Sequence, residues 1–529
     1  MKNIYLVLSA SLALLFGGIT ACDDNSLNHD EVYIPDPVVV SDEDDGVSPE
    51  PTTESVIKVL PEKVHQEIDG FGCSFGWAEA VYGCTQREQI MDDLYGDNGL
   101  RFNIYRGEIC HTSASSTSPD GKPFNFKTND NYQLGADSPE LRKMFDDSQV
   151  GSDGGKFKEY AQLWIIDYLC KKKLMDIYYF FSVWSPPKQW KTFAEGDIEG
   201  TTAGSFNSDW SGTYADFLTD FAKAFKDKFG INVYGISGWN EPDQAMGGWD
   251  GCTWGNQQMA DFTMDYLRPE LNRQGLQDTK IVYGELPWWA NAVTWMKEAL
   301  DNNPDLVDAD IIAAGHGYST VDSNIKPMTE AANEGIHVWQ TETCDDKTRD
   351  ETWDDAMKWA KNYNDYLTKA ETNAIVWWAG ARNCTSTGEN LLQTNQWGIS
   401  NSFYRVDRYY SIGQFSRYVQ RGSNRVDVNT VSSTANKIPR DLSVSAYIKD
   451  NTYTIVLVNN SKTTGFDALL DIDGYNFESM VSYTSSASVK WLRKKLNPSS
   501  TGKRAVTVPK YSVVTITGRF GEEGSQTVE

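Results

Sequence analysis

Residues 232–239 read NVYGISGW, a short run of apolar and small residues that predicts a buried β-strand. A helix pattern precedes this run, with apolar side chains spaced for one helical face at Tyr214, Phe217, Leu218, Phe221 and Phe225. Strand-like and helix-like segments continue to alternate from about residue 59 to residue 415. An alternation of this kind predicts an α/β fold built on a parallel sheet.

Seven further segments of this stretch are strand candidates, and several are continuous apolar runs, as expected for strands covered on both faces. They are residues 70–77, 100–107, 176–184, 280–285, 310–318, 337–342 and 374–380. Eight strand–helix repeats favour a (β/α)8 TIM barrel over an open doubly wound sheet. An open sheet usually has a glycine-rich phosphate loop, and the sequence contains neither GxGxxG nor GxxxxGK[ST].

The pattern changes after about residue 418, where short alternating runs such as LSVSAYI, TYTIVLV and SVVTITG are separated by turn signals. These runs predict a C-terminal antiparallel β-sandwich. We therefore expect a catalytic barrel over residues 59–417, a β-sandwich over 418–522 and a disordered tail over 523–529. The strand-like segment at 55–61 is expected to join the sandwich from the N-terminal side.

The N-terminal sequence predicts export. An apolar run over residues 4–19 leads to small residues and Cys22, a pattern that resembles a bacterial lipoprotein signal peptide over residues 1–22. Residues 23–58, rich in Asp, Glu, Pro and Ser, are expected to form a disordered acidic linker. We expect an outer-membrane or cell-surface lipoprotein that contacts the membrane only through a lipid on Cys22. Ordinary secretion and a short membrane anchor are the alternatives.

Composition restricts the partners of this 529-residue chain. Its formal net charge of −26 would repel nucleic acid, so we expect no nucleic-acid partner. Aromatic residues make up 12% of the chain, which suits stacking on the apolar faces of sugar rings and indicates a carbohydrate substrate. The sequence has no CxxC pair or Cys/His cluster at metal-ligand spacing, so we expect no metal and no other cofactor. We also expect a monomer.

Two glutamates at strand ends are the candidate catalytic residues. The motif GWNEPD (238–243) places Glu241 at the end of the fourth strand candidate, which in a barrel is the catalytic rim. The motif VWQTETC (338–344) places Glu342 at the end of the seventh candidate. A carboxyl separation of about 5 Å would give a retaining mechanism, with Glu342 as nucleophile and Glu241 as acid/base, and a wider gap would give inversion.

Several neighbours are candidates for supporting these carboxylates or binding sugar. Asn240 can hydrogen-bond a sugar 2-hydroxyl. Arg101, near the end of the second strand candidate, is expected to keep Glu342 charged, and Arg106 is the reserve. Four further residues near strand ends are expected to bind substrate: Trp184, His316, Tyr318 and Trp378. Tyr318 is also expected to hydrogen-bond Glu342. For His316, a purely structural role is the alternative.

Other residues compete for the catalytic roles. Glu285 ends the fifth strand candidate, and Asp243 and Glu79 flank the motifs, but none of them has both a strand-end setting and a suitable partner. Residues 72–76 match the GxSxG pattern of serine hydrolases, although the match lies within a strand candidate without the expected strand–turn–helix.

Five motifs together resemble glycoside hydrolase family 30, and the similarity covers nearly all of residues 60–520. They are IDGFG (68–72), WSPPKQW (184–190), WNEPD (239–243), TET (341–343) and GQFSRYVQRGSNRV (413–426). The resemblance implies a (β/α)8 barrel with a side β-sandwich that takes strands from both chain ends. It also implies retention, with Glu241 and Glu342 in the roles given above, and it matches LRFNIYRG to a family pattern like ARxxIG, which selects Arg101.

Within that family the opening GFGCSFGWAEA is closer to the endo-β-1,6-galactanase-like branch than to the glucosylceramidase-like branch. We therefore expect an O-glycosyl hydrolase that cleaves a β-linked polysaccharide or oligosaccharide, with β-1,6-galactan or a related β-glycan as the first expectation. Three alternatives remain: a non-catalytic glycan-binding surface lipoprotein on the same fold, an exo-acting β-glucosidase or xylanase-type enzyme, and a cellulase-like barrel hydrolase.

Overall fold

The computed structural model describes residues 40–47, 55–110, 155–172, 176–197, 199–244, 249–318, 322–396, 400–498 and 502–522. The proposed signal peptide, the lipidation site at Cys22 and the tail over 523–529 lie outside these residues. The strands of the described residues are β1 (Val40–Val47), β2 (Val56–Glu67), β3 (Gly70–Ser74), β4 (Ile104–Glu108), β5 (Tyr178–Ser182), β6 (Lys191–Thr192), β7 (Ser205–Phe206), β8 (Gly235–Ser237), β9 (Lys280–Leu286), β10 (Ile311–His316), β11 (Val338–Glu342), β12 (Ala374–Trp377), β13 (Ala381–Arg382), β14 (Leu392–Thr394), β15 (Phe403–Arg405), β16 (Asn424–Val431), β17 (Leu442–Lys449), β18 (Thr452–Asn459), β19 (Phe466–Ile472), β20 (Tyr475–Ser485), β21 (Leu492–Asn497), β22 (Arg504–Val508) and β23 (Ser512–Glu522).

The helices of the described residues lie mainly between the barrel strands. They are α1 (Ala78–Tyr82), α2 (Arg87–Tyr95), α3 (Gly155–Lys171), α4 (Ser211–Phe229), α5 (Asn256–Phe262), α6 (Arg268–Arg273), α7 (Trp289–Asn302), α8 (Thr329–Asn333), α9 (Trp353–Thr368) and α10 (Asp407–Ser416). In α4 the predicted apolar face is buried, and the helix ends at Gly230, whose φ of 72° is the left-handed conformation that glycine adopts without steric cost. Within the described residues, no helix combines the length and apolar character needed to cross a bilayer.

All eight predicted strands form, and they close into a parallel barrel in the order β3, β4, β5, β8, β9, β10, β11 and β12. The pairing of β12 with β3 closes the ring. Side chains from alternate positions fill the barrel interior, including Ile104, Phe180, Val282, Ile312 and Trp339. The predicted TIM barrel is therefore confirmed, and the carboxyl ends of its strands form one rim.

The predicted β-sandwich is a second layer of mainly antiparallel strands, in the order β1-β21-β20-β23-β18-β17-β16-β2-β19-β22. Strand β2 pairs with β16 in antiparallel fashion and with β19 in parallel, so the N-terminal strand does join this sheet, as predicted. The apolar faces of the strands enclose their own core, which includes Ile57, Ile455, Leu470, Phe477 and Ile516.

The disordered linker predicted over residues 23–58 is wrong for its described part. Residues 40–47 form β1, which pairs in parallel with β21, and Val56 begins β2. Strand pairing uses backbone groups, so an acidic segment can form an edge strand despite its low apolar content. The neighbouring strand β21 has the basic sequence LRKKLN, which favours an acidic strand beside it.

The barrel and the sandwich meet along α10, which carries the start of the GQFSRY motif. Trp491 is 3% exposed, and its indole N–H donates to the carbonyl oxygen of Tyr410 at 2.9 Å. The guanidinium carbon of Arg417 lies 4.1 Å from the centre of the same ring. Thr515 donates from its hydroxyl to the carbonyl oxygen of Gln414 at 2.8 Å. The motif therefore joins the two layers through both apolar packing and hydrogen bonds.

Candidate active site

The ends of β8 and β11, the fourth and seventh barrel strands, bring Glu241 and Glu342 together at the barrel mouth. One carboxylate oxygen of each and one ring nitrogen of His316 all lie within 4.8 Å of one another. Glu241 is 8% exposed and Glu342 is 5% exposed, so both carboxyl groups are largely removed from water yet reach the surface. The two residues singled out from the sequence therefore share one buried site.

The backbone of Glu241 is in the left-handed region, with φ of 51°, and its N–H donates to the carbonyl oxygen of Glu285 at 3.0 Å. Glu285, at the end of β9, has φ of 53°. This conformation costs a non-glycine residue roughly 1–2 kcal/mol and is kept only where surrounding contacts hold it. The strain occurs at the site itself, which is typical of a functional position.

Glu342 has a donor on each carboxylate oxygen. The hydroxyl of Tyr318 donates to Oε1 at 2.5 Å, and Nη1 of Arg106 contacts Oε2. Burial raises the pKa of Glu342, and the nearby Glu241 carboxyl adds to this, whereas His316, Arg106 and Tyr318 oppose it by favouring the charged form. The contacts of Glu342 are those that a carboxylate needs in order to remain ionised in a buried site.

The expectation that Arg101 supports Glu342 is wrong, because Arg106 makes that contact. Arg101 precedes the first residue of β4 and lies at the opposite end of the strand from the rim, with 44% of its side chain exposed and Nε donating to the carbonyl oxygen of Asp97 at 2.8 Å. Side chains alternate along a strand, so Ile104 and Arg106 point into the barrel while Tyr105 packs outward against Phe75, 4.8 Å between ring centres. Arg106 enters the site because it lies near the carboxyl end of β4, which forms the rim, and points into the barrel.

The guanidinium of Arg106 is fully buried and, besides Glu342, contacts Asn240, Glu285 and Trp184. Its Nη2 donates to Oδ1 of Asn240 at 2.6 Å and to Oε1 of Glu285 at 3.1 Å, and Cζ lies 4.7 Å from the centre of the Trp184 ring. Asn240 and Trp184 therefore lie in the site, as the sequence predicted. Because the Asn240 oxygen accepts from Arg106, the group of this side chain that remains a donor is its amide N–H₂.

Glu285 is a site residue whose role the sequence did not reveal. It is 0% exposed, and its Oε2 accepts a 2.6 Å hydrogen bond from the hydroxyl of Ser182, which ends β5. Burial would raise the pKa of Glu285, yet Arg106, His316 and Ser182 lower it to about 2. Its position at the end of a strand was the available signal for a place in the active site. Its role depends on contact with Arg106, which is distant in the chain and could not be paired with it from the sequence.

His316 lies among three carboxyl groups. Its Nδ1 is 3.3 Å from Oε1 of Glu241 and 4.0 Å from Oε1 of Glu342, and its Nε2 is 3.8 Å from Oε1 of Glu285. Burial would lower the pKa of His316, but Glu342, Glu241 and Glu285 raise it to about 9 against an opposing effect of Arg106. His316 is therefore cationic at neutral pH and adds a second positive charge to the site.

Trp378 follows the end of β12 and lies beside Trp184, with 5.9 Å between ring centres. Its indole N–H donates to Oε2 of Glu389 at 3.3 Å. The preceding Trp377 points to the outer side of the barrel, where it packs edge-on against Trp359 of α9 at 4.6 Å. The structure thus brings Trp378 and Trp184, the two tryptophans chosen from the sequence, together at the rim.

The donor atoms of Glu241, His316 and Glu342 have a spacing that a divalent metal ion accepts. Two features make them a poor metal site. Arg106 already neutralises Glu342, and a metal ion would have to displace the proton from His316, whose pKa is raised to about 9. The group is better suited to proton transfer and attack by a carboxylate than to metal binding.

Comparison with known sequences identifies relatives among glycosidases. The model of glycosyl hydrolase family 59 matches residues 163–397, which include both catalytic candidates. A glucuronoxylanase of Bacillus subtilis is 28% identical over 293 residues, which are 54% of this chain and 60% of that protein. A putative glucosylceramidase of Caenorhabditis elegans is 24% identical over 447 residues, 77% of this chain and 78% of that protein. The alignment thus spans less than two-thirds of the bacterial relative.

Solved structures give the same fold. A glycoside hydrolase family 30 subfamily 8 xylanase from Clostridium acetobutylicum superposes with a TM-score of 0.66 at 24% identity, covering 88% of this chain and 99% of that one. The chain therefore has the fold of a glycoside hydrolase family 30 enzyme. An endo-β1,6-glucanase superposes with a TM-score of 0.65 at 17% identity, covering 89% of this chain and 94% of that one. At these identities the superpositions establish the barrel-and-sandwich fold, and the chemistry has to be argued from the site.

Proposed function

We propose that this chain is a retaining glycoside hydrolase that cleaves a β-linked polysaccharide or oligosaccharide by double displacement. The observation that carries the proposal is the short distance, under 4.8 Å, between a carboxylate oxygen of Glu241 and one of Glu342. Retaining glycosidases have carboxyl groups about 5–5.5 Å apart, whereas inverting enzymes need about 6.5–9.5 Å to hold a water molecule between them. The spacing here favours direct attack on the sugar.

The reaction has two steps. In the first, a carboxylate oxygen of Glu342 attacks the anomeric carbon while the glycosidic bond breaks, and protonated Glu241 gives its proton to the leaving oxygen. In the second, ionised Glu241 takes a proton from water, whose oxygen attacks the anomeric carbon and releases Glu342. The product that carries the new reducing end therefore has the β configuration of the substrate.

The neighbouring residues suit these steps. Arg106 and Tyr318 hold the two oxygens of Glu342 and favour its charged form before attack. The amide oxygen of Asn240 accepts from Arg106, which leaves its N–H₂ as a donor for a sugar 2-hydroxyl, a hydrogen bond that would strengthen in the transition state. Trp184 and Trp378 offer aromatic faces beside the catalytic pair for a sugar ring.

The substrate is best described as a neutral β-glycan, with β-1,6-galactan as the first candidate. Lys191 follows β5 on the rim, and its ammonium group donates to Ser185 at 3.0 Å and to the carbonyl oxygen of Gly251 at 2.7 Å. Arg382, beyond β12, is paired with Glu389 at 2.5 Å. Both cations are already engaged by protein groups, which favours a neutral sugar over the uronic acid of a glucuronoxylan.

The test is to assay wild type, Glu241→Gln and Glu342→Gln on β-1,6-galactan, β-1,6-glucan, glucuronoxylan and aryl β-glycosides, following the anomeric configuration of new reducing ends by NMR. We expect initial release of the β anomer, and loss of at least about 10³-fold in kcat for each variant on polysaccharide. Initial release of the α anomer, or full activity in Glu342→Gln, would contradict the mechanism.

The same panel separates the alternatives. Binding of a glycan by wild type without any turnover would indicate a glycan-binding protein on a hydrolase fold. Release of single sugars from chain ends alone would indicate an exo-acting enzyme, whereas early appearance of mixed oligosaccharides would indicate endo action. Because the first product sizes are read from the same reactions, substrate and mode of action are determined together.

A further inference from the structure

The active site contains a third carboxyl group that the proposed reaction does not use. Glu285 is completely buried at the end of β9, so it cannot reach a sugar or a water molecule at the barrel mouth. Burying an ionised carboxyl group costs several kcal/mol unless it is paired and hydrogen-bonded. A group of this kind is retained at a site only if its contacts compensate for that cost.

The contacts of Glu285 lead to both cations of the site. Oε1 accepts from Nη2 of Arg106 at 3.1 Å and lies 3.8 Å from Nε2 of His316, while Oε2 accepts from Ser182 at 2.6 Å. Its carbonyl oxygen also accepts the N–H of Glu241 at 3.0 Å. One residue is thus connected to the proposed acid/base and to the two positively charged neighbours of the proposed nucleophile.

The orientation of the Arg106 guanidinium depends on its two Nη groups. Nη1 contacts Glu342, and Nη2 is shared by Asn240 and Glu285. Its Nε is buried and, among the residues that the structure describes, has no hydrogen-bond partner. Since the guanidinium is planar, the contact on Nη2 fixes the direction in which Nη1 points.

The balance of charge in the site also indicates that Glu285 supports Arg106 and His316. With Glu241 protonated, Arg106 and His316 carry two positive charges, and Glu342 alone would supply one negative charge. Ionised Glu285 completes the balance, which is consistent with its pKa of about 2. Without Glu285, two buried cations would compete for the single carboxylate that has to attack the sugar.

We propose that Glu285 is a positioning residue that holds Arg106 and His316 in place, so that both cations stay against Glu342 during the double displacement. Ser182 fixes the Glu285 carboxylate in turn. This inference rests on the proposed hydrolase function and adds a third acidic residue to the site. It assigns Glu285 no contact with substrate.

The central variant is Glu285→Gln, which keeps the size of the side chain and removes its charge. We expect kcat on an aryl β-glycoside to fall about 100-fold with KM changed less than about threefold, because the lost interaction acts through Glu342 and not on the bound sugar. Glu285→Asp, which keeps the charge, should restore part of kcat. Thermal unfolding of each variant shows whether it is folded.

The pH profile supplies a readout that a merely structural role would not change. The titratable and charged groups facing His316 are those of six residues: Glu241, Asp243, Glu285, Glu342, Arg106 and Tyr318. Removing the negative charge of Glu285 takes away one of the groups that favour His316 in its charged form. The alkaline limb of kcat should therefore move to lower pH in Glu285→Gln, and Glu285→Asp should keep it close to wild type.

A matched control is Asp355→Asn. Asp355 is also a buried carboxyl group paired with an arginine, Arg408, at 2.6 Å, but it lies on α9, where its other oxygen accepts from the indole N–H of Trp359. We expect this variant to lower the unfolding temperature while leaving kcat and the pH profile of the folded enzyme near wild type. If Glu285→Gln behaves like Asp355→Asn in all three measurements, the inference is wrong.

Two further outcomes keep the inference testable. If Glu285→Gln does not fold, Ser182→Ala removes only the hydroxyl that fixes the carboxylate, and we expect a several-fold fall in kcat with unchanged KM; unchanged kcat would overturn the inference. If wild type hydrolyses no glycan or aryl glycoside, the proposed function fails first. If wild type is active and Glu285→Gln is equally active, the positioning role alone fails.

Discussion

The hydroxyl of Tyr318 donates a 2.5 Å hydrogen bond to Oε1 of Glu342. Burial raises the pKa of Tyr318 well above its ordinary value, so the hydroxyl stays protonated and acts as a hydrogen-bond donor to the carboxylate. The backbone N–H of Tyr318 donates to the carbonyl oxygen of Pro287 at 3.2 Å, which ties the tyrosine to the segment that follows Glu285. Tyr318 is thus a fixed donor to the proposed nucleophile.

Tyr318→Phe should lower kcat about 10- to 100-fold, because a hydrogen bond to a charged group is worth about 1.5–3 kcal/mol. The measurement is steady-state hydrolysis of an aryl β-glycoside. Tyr404→Phe is the control, since this hydroxyl also donates to a carboxylate, Glu351, but lies on the exposed surface. Equal effects of the two substitutions would contradict a role for Tyr318 at Glu342.

Arg106→Lys should lower kcat at least about 100-fold although the positive charge is kept, because lysine cannot contact Glu342 and Glu285 with two fixed nitrogens. Arg101→Lys, the matched substitution at the arginine outside the site, should leave kcat within about twofold. Steady-state kinetics on the same substrate compares them. A large loss in Arg101→Lys with a small one in Arg106→Lys would reverse the assignment.

The raised pKa of His316, about 9, predicts how stability changes with alkaline pH. Its folded-state pKa lies above the unfolded value of about 6.5. The contribution of protonated His316 to the free energy of unfolding is therefore complete below pH 6.5 or so and is lost as the pH rises through about 9. Urea unfolding between pH 6 and 10 should show a decline in the free energy of unfolding that His316→Gln reduces. A decline of the same size in both proteins would show that other groups cause it.

Trp491→Ala should destabilise the fold by about 3–5 kcal/mol, because removal of a buried tryptophan leaves a cavity between α10 and the sandwich and removes the hydrogen bond to the Tyr410 carbonyl. Chemical unfolding measures this loss. Trp288, which is 45% exposed, provides the control, and its substitution by alanine should change stability by less than about 1 kcal/mol. Similar stability of both variants would mean that the junction contributes little.

We propose that the mature chain is a lipoprotein anchored at Cys22, as the N-terminal sequence predicts. When the chain is expressed in a bacterium with the lipoprotein pathway, Cys22→Ser should abolish incorporation of a labelled fatty acid and move the protein from the membrane fraction to the soluble exported fraction. Cys170→Ser is the control for general effects of losing a thiol. Labelling that survives in Cys22→Ser would contradict the proposal.

The barrel, the sandwich and the meeting of two glutamates at one rim followed from local patterns. Each strand is a run of consecutive, mainly apolar residues, which the sequence shows directly. Because all strands of a barrel end on the same rim, Glu241 and Glu342 could be placed there without knowledge of their contacts. Arg101 was chosen because it matches the arginine of the ARxxIG pattern. Only the carboxyl ends of the strands form the rim, and Arg106, not Arg101, lies near the carboxyl end of β4.

The sequence alone determined the fold class and the two candidate catalytic residues, since these depend on periodicity and on order along the chain. The three-dimensional arrangement decided that Arg106 is the arginine that contacts Glu342, and that Glu285 bonds Arg106 and is itself bonded by Ser182. It also brought carboxylate oxygens of Glu241 and Glu342 within 4.8 Å of each other. Those features join residues from β4, β5, β8, β9 and β11, which are far apart in the chain. The pKa of a buried group depends on such neighbours, and only closure of the barrel brings them together.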